Sequence, residues 1–355
     1  MSFVPAMLQD WLRVVASNDA SDLHMGANRP PAMRASGELV PITAEDVSED
    51  QAKAICMELT PDHRHQELMD SGSCDFGFPF EGDRYRASVF KQKGSYALVL
   101  RRVPQNRLSF DEIGAPPVLR SLAHLPRGMI LVTGPTGSGK TTTLAALIHE
   151  INISHPCHIM TLEDPIEFFH ESHKAVINQR EIGDDVVNFG EGLRRVLRQD
   201  PDVIMLGEMR DLETTSAAIT AAETGHLVLG TLHTTGAART VDRIIDQYPE
   251  NQQEQVRAQL SVSLQAVVSQ VLLPRADGHG RVAAFEIMVR NSAIENHIRK
   301  GETFKIGSVM QTQKRLGMQL LDEHLYELVQ AGTITREVAL GSAQYPADLV
   351  QRLGG

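Results

Sequence analysis

Residues 129–141, MILVTGPTGSGKT, place an apolar run directly before a GxxxxGK[ST] pattern, and a second apolar segment, LAALIHEI, follows it. The first run predicts a β-strand and the second a helix. Glycines let consecutive backbone N–H groups turn inward around phosphate oxygens, and the helix N-terminus adds its positive dipole end. The stretch therefore predicts a nucleotide-binding loop made of Gly134, Pro135, Thr136, Gly137, Ser138, Gly139, Lys140, Thr141 and Thr142.

Two residues of this loop have separate expected tasks. Lys140 is expected to reach the β- and γ-phosphates, and the Thr141 hydroxyl to take a coordination position on Mg²⁺. A nucleoside triphosphate and Mg²⁺ are therefore the expected cofactors. A bound triphosphate also needs a group that orients or activates water and an acid that supports the metal.

The pattern of apolar segments predicts two domains of different construction. Short strands alternate with helices after residue 128, which is typical of a mostly parallel sheet with helices on both faces. The first hundred residues instead predict an α+β unit with a meandering sheet and a helix over 49–69. Beyond about residue 250 the pattern is helical, with one strand at VAAFEIMV. The expected organisation is a first domain at 1–103, a linker at 104–117, a nucleotide-binding core at 118–270 and a mostly helical extension at 271–355.

Two acidic residues end apolar strands of the predicted core. Glu163 lies in IMTLEDPIE, where Pro165 ends the strand, and Glu208 lies in DVIMLGEMRD after Gly207. Carboxylates at the carboxyl edge of such a sheet lie near the phosphate loop. We expect Glu163 to position or deprotonate the attacking water, and Glu208 to support Mg²⁺ and that water. The alternative for each is a carboxylate that only caps a turn.

Two histidines bracket another apolar strand, GHLVLGTLHTT. His233 closes this strand and is expected at the same sheet edge as the acids, where a neutral imidazole can donate a hydrogen bond to the γ-phosphate. His226 opens the strand and is a second candidate for nucleotide binding. A core histidine with a local hydrogen bond is the alternative for both.

Composition argues against several classes of protein. The 355 residues carry 34 Lys and Arg against 45 Asp and Glu, a net charge of −11, so no nucleic-acid partner is expected. Cys56, Cys74 and Cys157 are widely spaced without a CxxC pattern, so neither a disulfide framework nor a zinc site is predicted. No uncharged apolar run reaches the roughly 18 to 20 residues of a membrane span. These features favour a cytosolic protein.

Four ordered motifs resemble those of one ATPase superfamily. GPTGSGKT, TLEDPIEF with NQREIG, DPDVIMLGEMRD and TAAETGHLVLGTLHT resemble the P-loop, Asp box, Walker B segment and His box of the secretion-superfamily ATPases. SDLH near the N-terminus and the tail LGMQLLDEHLYELVQAGTIT are similar to the type IV pilus retraction ATPases of the PilT/PilU kind. The resemblance implies an N-terminal PAS-like α+β domain, a C-terminal RecA-like P-loop NTPase domain with a helical tail, a homohexameric ring, and ATP hydrolysis at subunit boundaries.

The resemblance also assigns arginines. It implies that Arg86 in RYRASVF and Arg101 in LVLRRVP supply guanidinium groups to the phosphates, a planar donor pair suited to phosphate oxygens. Arg102 is expected on the other face of its strand, as a solvated or interface residue. Arg210, Arg239 and Arg243 are expected as interface charges.

Two features bear on the subclass of ATPase: a missing cysteine motif and a change in a late sequence motif. No cysteine follows Cys157 in the sequence, so the tetracysteine zinc module common among extension and type II secretion ATPases is not expected, and retraction is favoured. In SAIENHIRKGE, however, His297 and Lys300 stand where a PilT-like motif has an apolar residue and an acid.

These observations lead to one main functional hypothesis. The chain is expected to be a motor that powers pilus retraction and twitching motility, bound to an inner-membrane pilus platform protein at the cytoplasmic face. The alternative is an accessory PilU-like ring that assists a paralogous retraction ATPase. A nucleic-acid translocase on the same core is the third possibility, and the acidic charge argues against it.

Overall fold

The computed structural model describes residues 4–35, 37–103 and 109–354. The chain forms two compact units. The first comprises Met1–Asn106 together with a short later segment, Pro165–Phe169, and the second comprises Arg107–Asp164 and His170–Gly355. Within the described ranges no helix is long and apolar enough to cross a membrane.

The first unit contains one antiparallel sheet. Its strands are β1 (Asp22–Gly26), β2 (Ala32–Ala35), β3 (Glu38–Pro41), β4 (Ser73–Phe80), β5 (Asp83–Gln92) and β6 (Ser95–Val103), and its helices are α1 (Ala6–Ser17), α2 (Glu49–Leu59) and α3 (His65–Ser71). The strands lie in the order β3-β2-β1-β6-β5-β4, and every neighbouring pair is antiparallel. The α+β character predicted from the sequence is confirmed.

One face of this sheet is apolar and the other carries charge. Side chains alternate along a strand, so Leu23 and Leu100, which are register partners, belong to the core that also includes Leu12 of α1. By the same alternation, Asp22 and Arg101 share the opposite face. The alternation that places Leu23 and Leu100 in the core therefore also places Asp22 and Arg101 together on the opposite face.

The helix predicted over 49–69 is interrupted. α2 ends at Leu59, Thr60 is extended with ψ 126°, and a short 3₁₀ turn at Asp62–Arg64 precedes α3. The cause is Pro61, because the residue before a proline is excluded from the helical region. The prediction of one continuous helix was wrong.

The second unit is built on a seven-stranded sheet. Its strands are β7 (Gly128–Thr133), β8 (His158–Glu163), β9 (Val176–Glu181), β10 (Val203–Leu206), β11 (Leu227–Leu232), β12 (Leu264–Pro274) and β13 (Arg281–Val289). They lie in the order β13-β12-β7-β11-β10-β8-β9, and only the β12–β13 pair is antiparallel. The mostly parallel α/β sheet predicted from the alternation of strands and helices is confirmed.

Helices cover this sheet on both faces. They are α4 (Val118–Ala123), α5 (Lys140–Ser154), α6 (Phe189–Val196), α7 (Leu212–Thr224), α8 (Ala237–Ile245), α9 (Glu250–Ser263), α10 (Ser292–Lys300), α11 (Ile306–Thr312), α12 (Leu321–Gln330), α13 (Arg336–Ser342) and α14 (Pro346–Arg352). Met129 and Leu131 of β7 pack in one core with residues of α6 to α11. Ile130 and Val132 pack in a second core with residues of α4 and α5. A strand with a core on each face is apolar throughout, which explains the continuous apolar run before the phosphate loop.

Two predicted boundaries differ from the structure. The boundary at residue 270 falls inside β12, a strand that the sequence reasoning took for helix, and the sheet continues to Val289. Residues 104–108 of the predicted linker lie outside the described residues. Of the remainder, Phe110 is buried in the core with Leu119 and Leu147, and residues 109–117 group with the second unit.

Candidate functional site

The phosphate loop connects the end of β7 to the start of α5. Gly134, Gly137 and Gly139 have φ values of 143°, 76° and 88°, a region that side chains with a Cβ rarely adopt. A Cβ on Gly134 would lie 2.2 Å from the backbone oxygen of Gln270, so the loop also needs a glycine there for space. Ser138 is buried, whereas residues 135–137 are exposed at the tip. The tip of the loop is therefore exposed above a packed base.

Lys140 begins α5 and is held against the loop. Its Nζ donates to the carbonyl oxygens of Gly134 at 2.9 Å and Pro135 at 3.0 Å, and the residue is 9% exposed. Thr141 and Thr142 follow in the first turn and are half-buried. An ammonium group and two hydroxyls thus belong to the first turn of one helix, next to its N-terminus. Such donors suit phosphate oxygens.

Gln270 of β12 supports this loop, and no sequence motif indicated it. Its Nε2 donates to the Ser138 carbonyl oxygen at 2.6 Å, and its Oε1 accepts from the Thr143 hydroxyl at 2.8 Å. The side chain is 2% exposed. The only available signal was a polar residue inside the apolar run QAVVSQVLL, which the helical interpretation of this segment hid.

The other candidate groups lie along the edge of the sheet where β7 ends. β11, β10 and β8 follow β7 in order and run parallel to it, so all four strands end at the same edge. His233 follows β11, Glu208 follows β10 and Glu163 ends β8. With strands about 4.8 Å apart, this edge places the phosphate loop, the histidine and the two acids in one row.

Glu163 is buried and oriented by two donors. It is 4% exposed, and its Oε1 accepts from the Thr161 hydroxyl at 2.6 Å and from the Gln179 side-chain amide at 3.0 Å. Gln179 lies on β9, the neighbouring strand. Two hydrogen bonds to one oxygen fix the carboxylate, which is what a group that positions water requires.

Gly207 brings the two acidic strand ends together. Its N–H donates to the Leu162 carbonyl oxygen at 2.8 Å, and a Cβ at this position would lie 3.3 Å from the Cα of Glu163. The Thr231 hydroxyl donates to the Gly207 carbonyl oxygen. A side chain at this position would press on the Glu163 backbone, which gives a physical reason for glycine directly before Glu208.

Glu208 lies between two cationic or potentially cationic groups. Its Oε1 is 2.8 Å from Arg210 Nε and 3.2 Å from His233 Nε2. Burial acts to raise the pKa of this carboxyl, but the Arg210 hydrogen bond and the charges of Arg210 and His233 outweigh burial, so the pKa lies below the ordinary value of 4.5. Glu208 is therefore ionised at neutral pH and connects the Walker B segment to the His box.

The depressed pKa of Glu208 has a measurable effect on stability. Because the folded value lies below the unfolded one, the ionised group contributes stability that is fully present above about pH 4.5 and is lost as pH falls through the folded pKa. We expect Glu208→Gln to lower the free energy of unfolding at pH 7 by at most about 1 kcal/mol, since Arg210 is exposed and solvent screens the pair. Urea unfolding at pH 7 to 3 should show this difference shrinking in acid. Glu254→Gln, an exposed site in α9, is the charge-matched control; a difference from wild type that stays constant with pH would contradict the assignment.

His226 lies at the opposite edge of the sheet. It precedes β11, and its backbone oxygen accepts from the N–H of Gly128, the first residue of β7. Its Nδ1 contacts the Ala221 carbonyl oxygen at 2.9 Å at the end of α7. Six strand residues separate it from His233, about 20 Å of strand. The structure therefore does not bring His226 to the phosphate loop of its own chain, and the hydrogen bond to Ala221 gives it a local role.

Arg86 and Arg101 are directly opposed register partners in the first unit. Arg86 Nη1 donates to Glu167 Oε1 at 3.0 Å, within the segment Pro165–Phe169. Arg101 Nε donates to Asp22 Oδ1 at 3.0 Å, and its side chain is 67% exposed. Each guanidinium group is thus paired with a carboxylate, Arg101 with one on its own sheet and Arg86 with one on the later segment. Arg102 lies on the other face, as expected, and is largely buried between Asp83 and Asp19, so of the two expected alternatives, a solvated or an interface residue, the solvated one does not hold in this chain.

A cavity of about 360 Å³ opens beside the phosphate loop. Gly139, Thr142 and Gln270 line it on the loop side. The other walls combine apolar and charged side chains, among them Ile113, Leu272, Phe285, Arg275 and Arg281. Asp111 and Glu112 also line the cavity, so its walls are mixed in polarity, with charges of both signs beside apolar side chains.

Comparisons with known proteins agree with this geometry. The model of the type II/IV secretion system protein family matches residues 3–339. The type IV pilus retraction ATPase PilT of Pseudomonas aeruginosa is 45% identical over 340 residues, 96% of this chain and 98% of that protein. The type IV pilus ATPase PilU of the same organism is 38% identical over 95% of this chain and 89% of its own length. The crystal structure of the pilus retraction motor PilT with bound ADP superposes with a TM-score of 0.91 at 43% identity, covering 97% of this chain and 99% of that one. The chain belongs to the type II/IV secretion system protein family.

Proposed function

We propose that this protein is an ATP-hydrolysing motor that powers type IV pilus retraction and twitching motility. The observation that carries the proposal is similarity at 45% identity to a retraction ATPase over 96% of this chain, combined with a complete phosphate loop and two acids at one sheet edge. The PilU relative is less similar, at 38% identity. The retraction motor is therefore the better supported function.

ATP is the nucleotide that the site would hold. The phosphates would lie on the loop, with Lys140 against the β- and γ-phosphates, and the base and ribose would occupy the cavity beside Gly139 and Thr142. The cavity adjoins the loop through shared residues, so one ligand can fill both. The ADP bound in the PilT crystal structure supports this nucleotide.

Mg²⁺ would accompany the nucleotide. Thr141 offers a hydroxyl at the first turn of α5, and Mg²⁺ commonly binds substrate phosphates with few protein ligands. The metal would neutralise phosphate charge during hydrolysis. Glu208 would support the metal from the neighbouring strand end, and Glu163 would position and deprotonate the attacking water. His233, held 3.2 Å from Glu208, would sense the γ-phosphate through a hydrogen bond.

Arg86 and Arg101 are proposed phosphate contacts within an assembled ring. Each already contacts a carboxylate, Glu167 and Asp22, so each would exchange that partner for phosphate. Arg210, Arg239 and Arg243 remain proposed interface charges. The proposed assembly is a homohexamer at the cytoplasmic face of the inner membrane, bound to the pilus platform protein and able to work with a paralogous retraction ATPase.

One departure from the PilT-like motif now has a structural description. His297 lies in α10 and its Nδ1 is 3.1 Å from Glu302 Oε2, while Lys300 is exposed at the last turn of the helix. A cation at a helix C-terminus is favourable, so Lys300 is compatible with the fold. Lys300 is therefore a surface change, whereas His297 is half-buried against Glu302, and motility assays decide the effect of each.

A deletion strain tests the proposed function. We expect deletion of the gene to abolish twitching and to leave surface pili in excess, because extended pili can no longer be retracted. Plasmid-borne wild-type protein should restore both, and the purified wild-type protein should hydrolyse ATP. Normal twitching in the deletion strain, together with ATP turnover in vitro, would favour the accessory PilU-like role. No ATP turnover by the wild-type ring would contradict an active motor.

A further inference from the structure

Two consecutive residues of β12 contact two different loops of the second unit. Gln270 contacts the phosphate loop, and Ser269 contacts the segment that follows the His box. Both are buried, at 2% and 6% exposure. Neighbouring residues of a strand point to opposite faces, so one short piece of backbone holds both loops from its two sides.

The contact of Gln270 with the phosphate loop uses the whole amide group. Nε2 donates to the Ser138 carbonyl oxygen, and Oε1 accepts from the Thr143 hydroxyl. Rotating the amide by 180° would set its oxygen against a carbonyl oxygen, so one orientation is favoured. Gly134 and Gly139 approach the same residue so closely that their Cβ positions would be 2.2 Å from its backbone oxygen and 3.1 Å from Nε2. The phosphate loop therefore packs closely against Gln270.

The contact of Ser269 fixes the start of α8. The Ser269 Oγ accepts from the Gly236 N–H at 2.9 Å. Glu286, the register partner of Ser269 on β13, accepts from the Ala237 N–H at 2.7 Å. The N-cap residue of α8 is Gly236, which has no side chain to accept from the N–H groups at the start of the helix. Ser269 and Glu286 thus hold the segment that begins three residues after His233.

We infer that Ser269 and Gln270 are positioning residues for ATP hydrolysis, with Gln270 setting the shape of the phosphate loop and Ser269 setting the position of His233. This inference rests on the proposed function. The two loops derive from distant parts of the sequence, and hydrolysis needs the phosphates and the sensing histidine in fixed relation. Because both loops are hydrogen-bonded to adjacent residues of one buried strand, their positions relative to each other are fixed. The two contacts also have separable consequences, because one loop binds nucleotide and the other acts on bound nucleotide.

The experiment measures nucleotide affinity and turnover separately. The dissociation constant of a fluorescent ADP analogue, the KM for ATP and kcat are measured for the wild-type ring and for Gln270→Met, Thr143→Val and Ser269→Ala. We expect Gln270→Met to weaken ADP binding and raise KM about tenfold, since it leaves a buried carbonyl and hydroxyl unpaired. Thr143→Val should weaken binding about threefold. Ser269→Ala should lower kcat about tenfold and leave ADP affinity within about twofold.

Gln265→Met provides the matched control. Gln265 lies on the same strand at the opposite edge, beside Gly128, and its substitution should change neither affinity nor kcat. If Gln270→Met does not fold, Thr143→Val tests the same contact from the loop side. Unchanged ADP affinity in the Gln270 or Thr143 variant, or an equal loss of affinity and kcat in all variants, would overturn the inference. Absence of ADP binding by the wild-type ring would instead contradict the proposed function itself.

Discussion

Replacing Lys140 by alanine is expected to reduce steady-state ATP turnover at least about a hundredfold, which is the loss typical of removing one charged or hydrogen-bonding group from a transition state. The Nζ of Lys140 is buried and held by the carbonyl oxygens of Gly134 and Pro135, so its charge lies at the loop that would hold the phosphates. No other lysine lies in the loop. Turnover is measured by phosphate release, and binding by a fluorescent ADP analogue.

Lys174→Ala is the matched control for this experiment. Lys174 is exposed in the segment before β9 and lies outside the candidate site, so its loss should leave turnover unchanged. Circular dichroism should show the same secondary structure for both variants. Turnover of Lys140→Ala within about threefold of wild type would remove Lys140 from the phosphate site.

Glu163→Gln is expected to lower kcat by about two to four orders of magnitude while ADP affinity changes little, as for loss of a general base. The substitution is well suited to this test because the glutamine oxygen can still accept from Thr161 and Gln179, the two donors that orient Glu163. The fold and the packing of the strand end are therefore preserved. Only the capacity to take a proton and the negative charge are lost.

The companion variant Glu208→Gln separates the two acids. It is expected to reduce kcat and to weaken the dependence of turnover on Mg²⁺ concentration, because Glu208 is proposed to support the metal. Unchanged turnover in Glu163→Gln would exclude that residue as the base. If only Glu208→Gln then lost turnover, the base would be Glu208.

The phosphate loop could be predicted in full because its chemistry is local. Glycine spacing, a lysine and a hydroxyl residue follow one another in the sequence, and the strand before them is apolar because a core lies on each face. The sheet edge with Glu163, Glu208 and His233 followed from the same logic, since parallel strands end together. When the residues of a site follow one another in the chain, the geometry of that site can be predicted from the sequence.

The features that were missed depend on distant partners. Gln270 lies 132 residues after Ser138, and nothing in its own neighbourhood marks it as a contact of the loop. β12 itself was taken for helix because its apolar residues, buried on both faces, lack the alternation of a half-buried strand. His226 opens its strand and so lies at the edge away from the phosphate loop, and its contact with Ala221 fits the alternative of a core histidine with a local hydrogen bond. The break at Pro61 could have been predicted from proline chemistry alone.

The segment Pro165–Phe169 has a consequence for the modular use of this chain. It is encoded between β8 and β9 yet belongs to the first unit, where Glu167 contacts Arg86 and the Arg84 guanidinium lies 4.5 Å from the centre of the Phe169 ring. A fragment that stops at residue 103 would lack this piece and would leave Arg86 without Glu167. Exchange of the first unit between relatives would therefore have to carry these five residues from the middle of the gene together with residues 1–103.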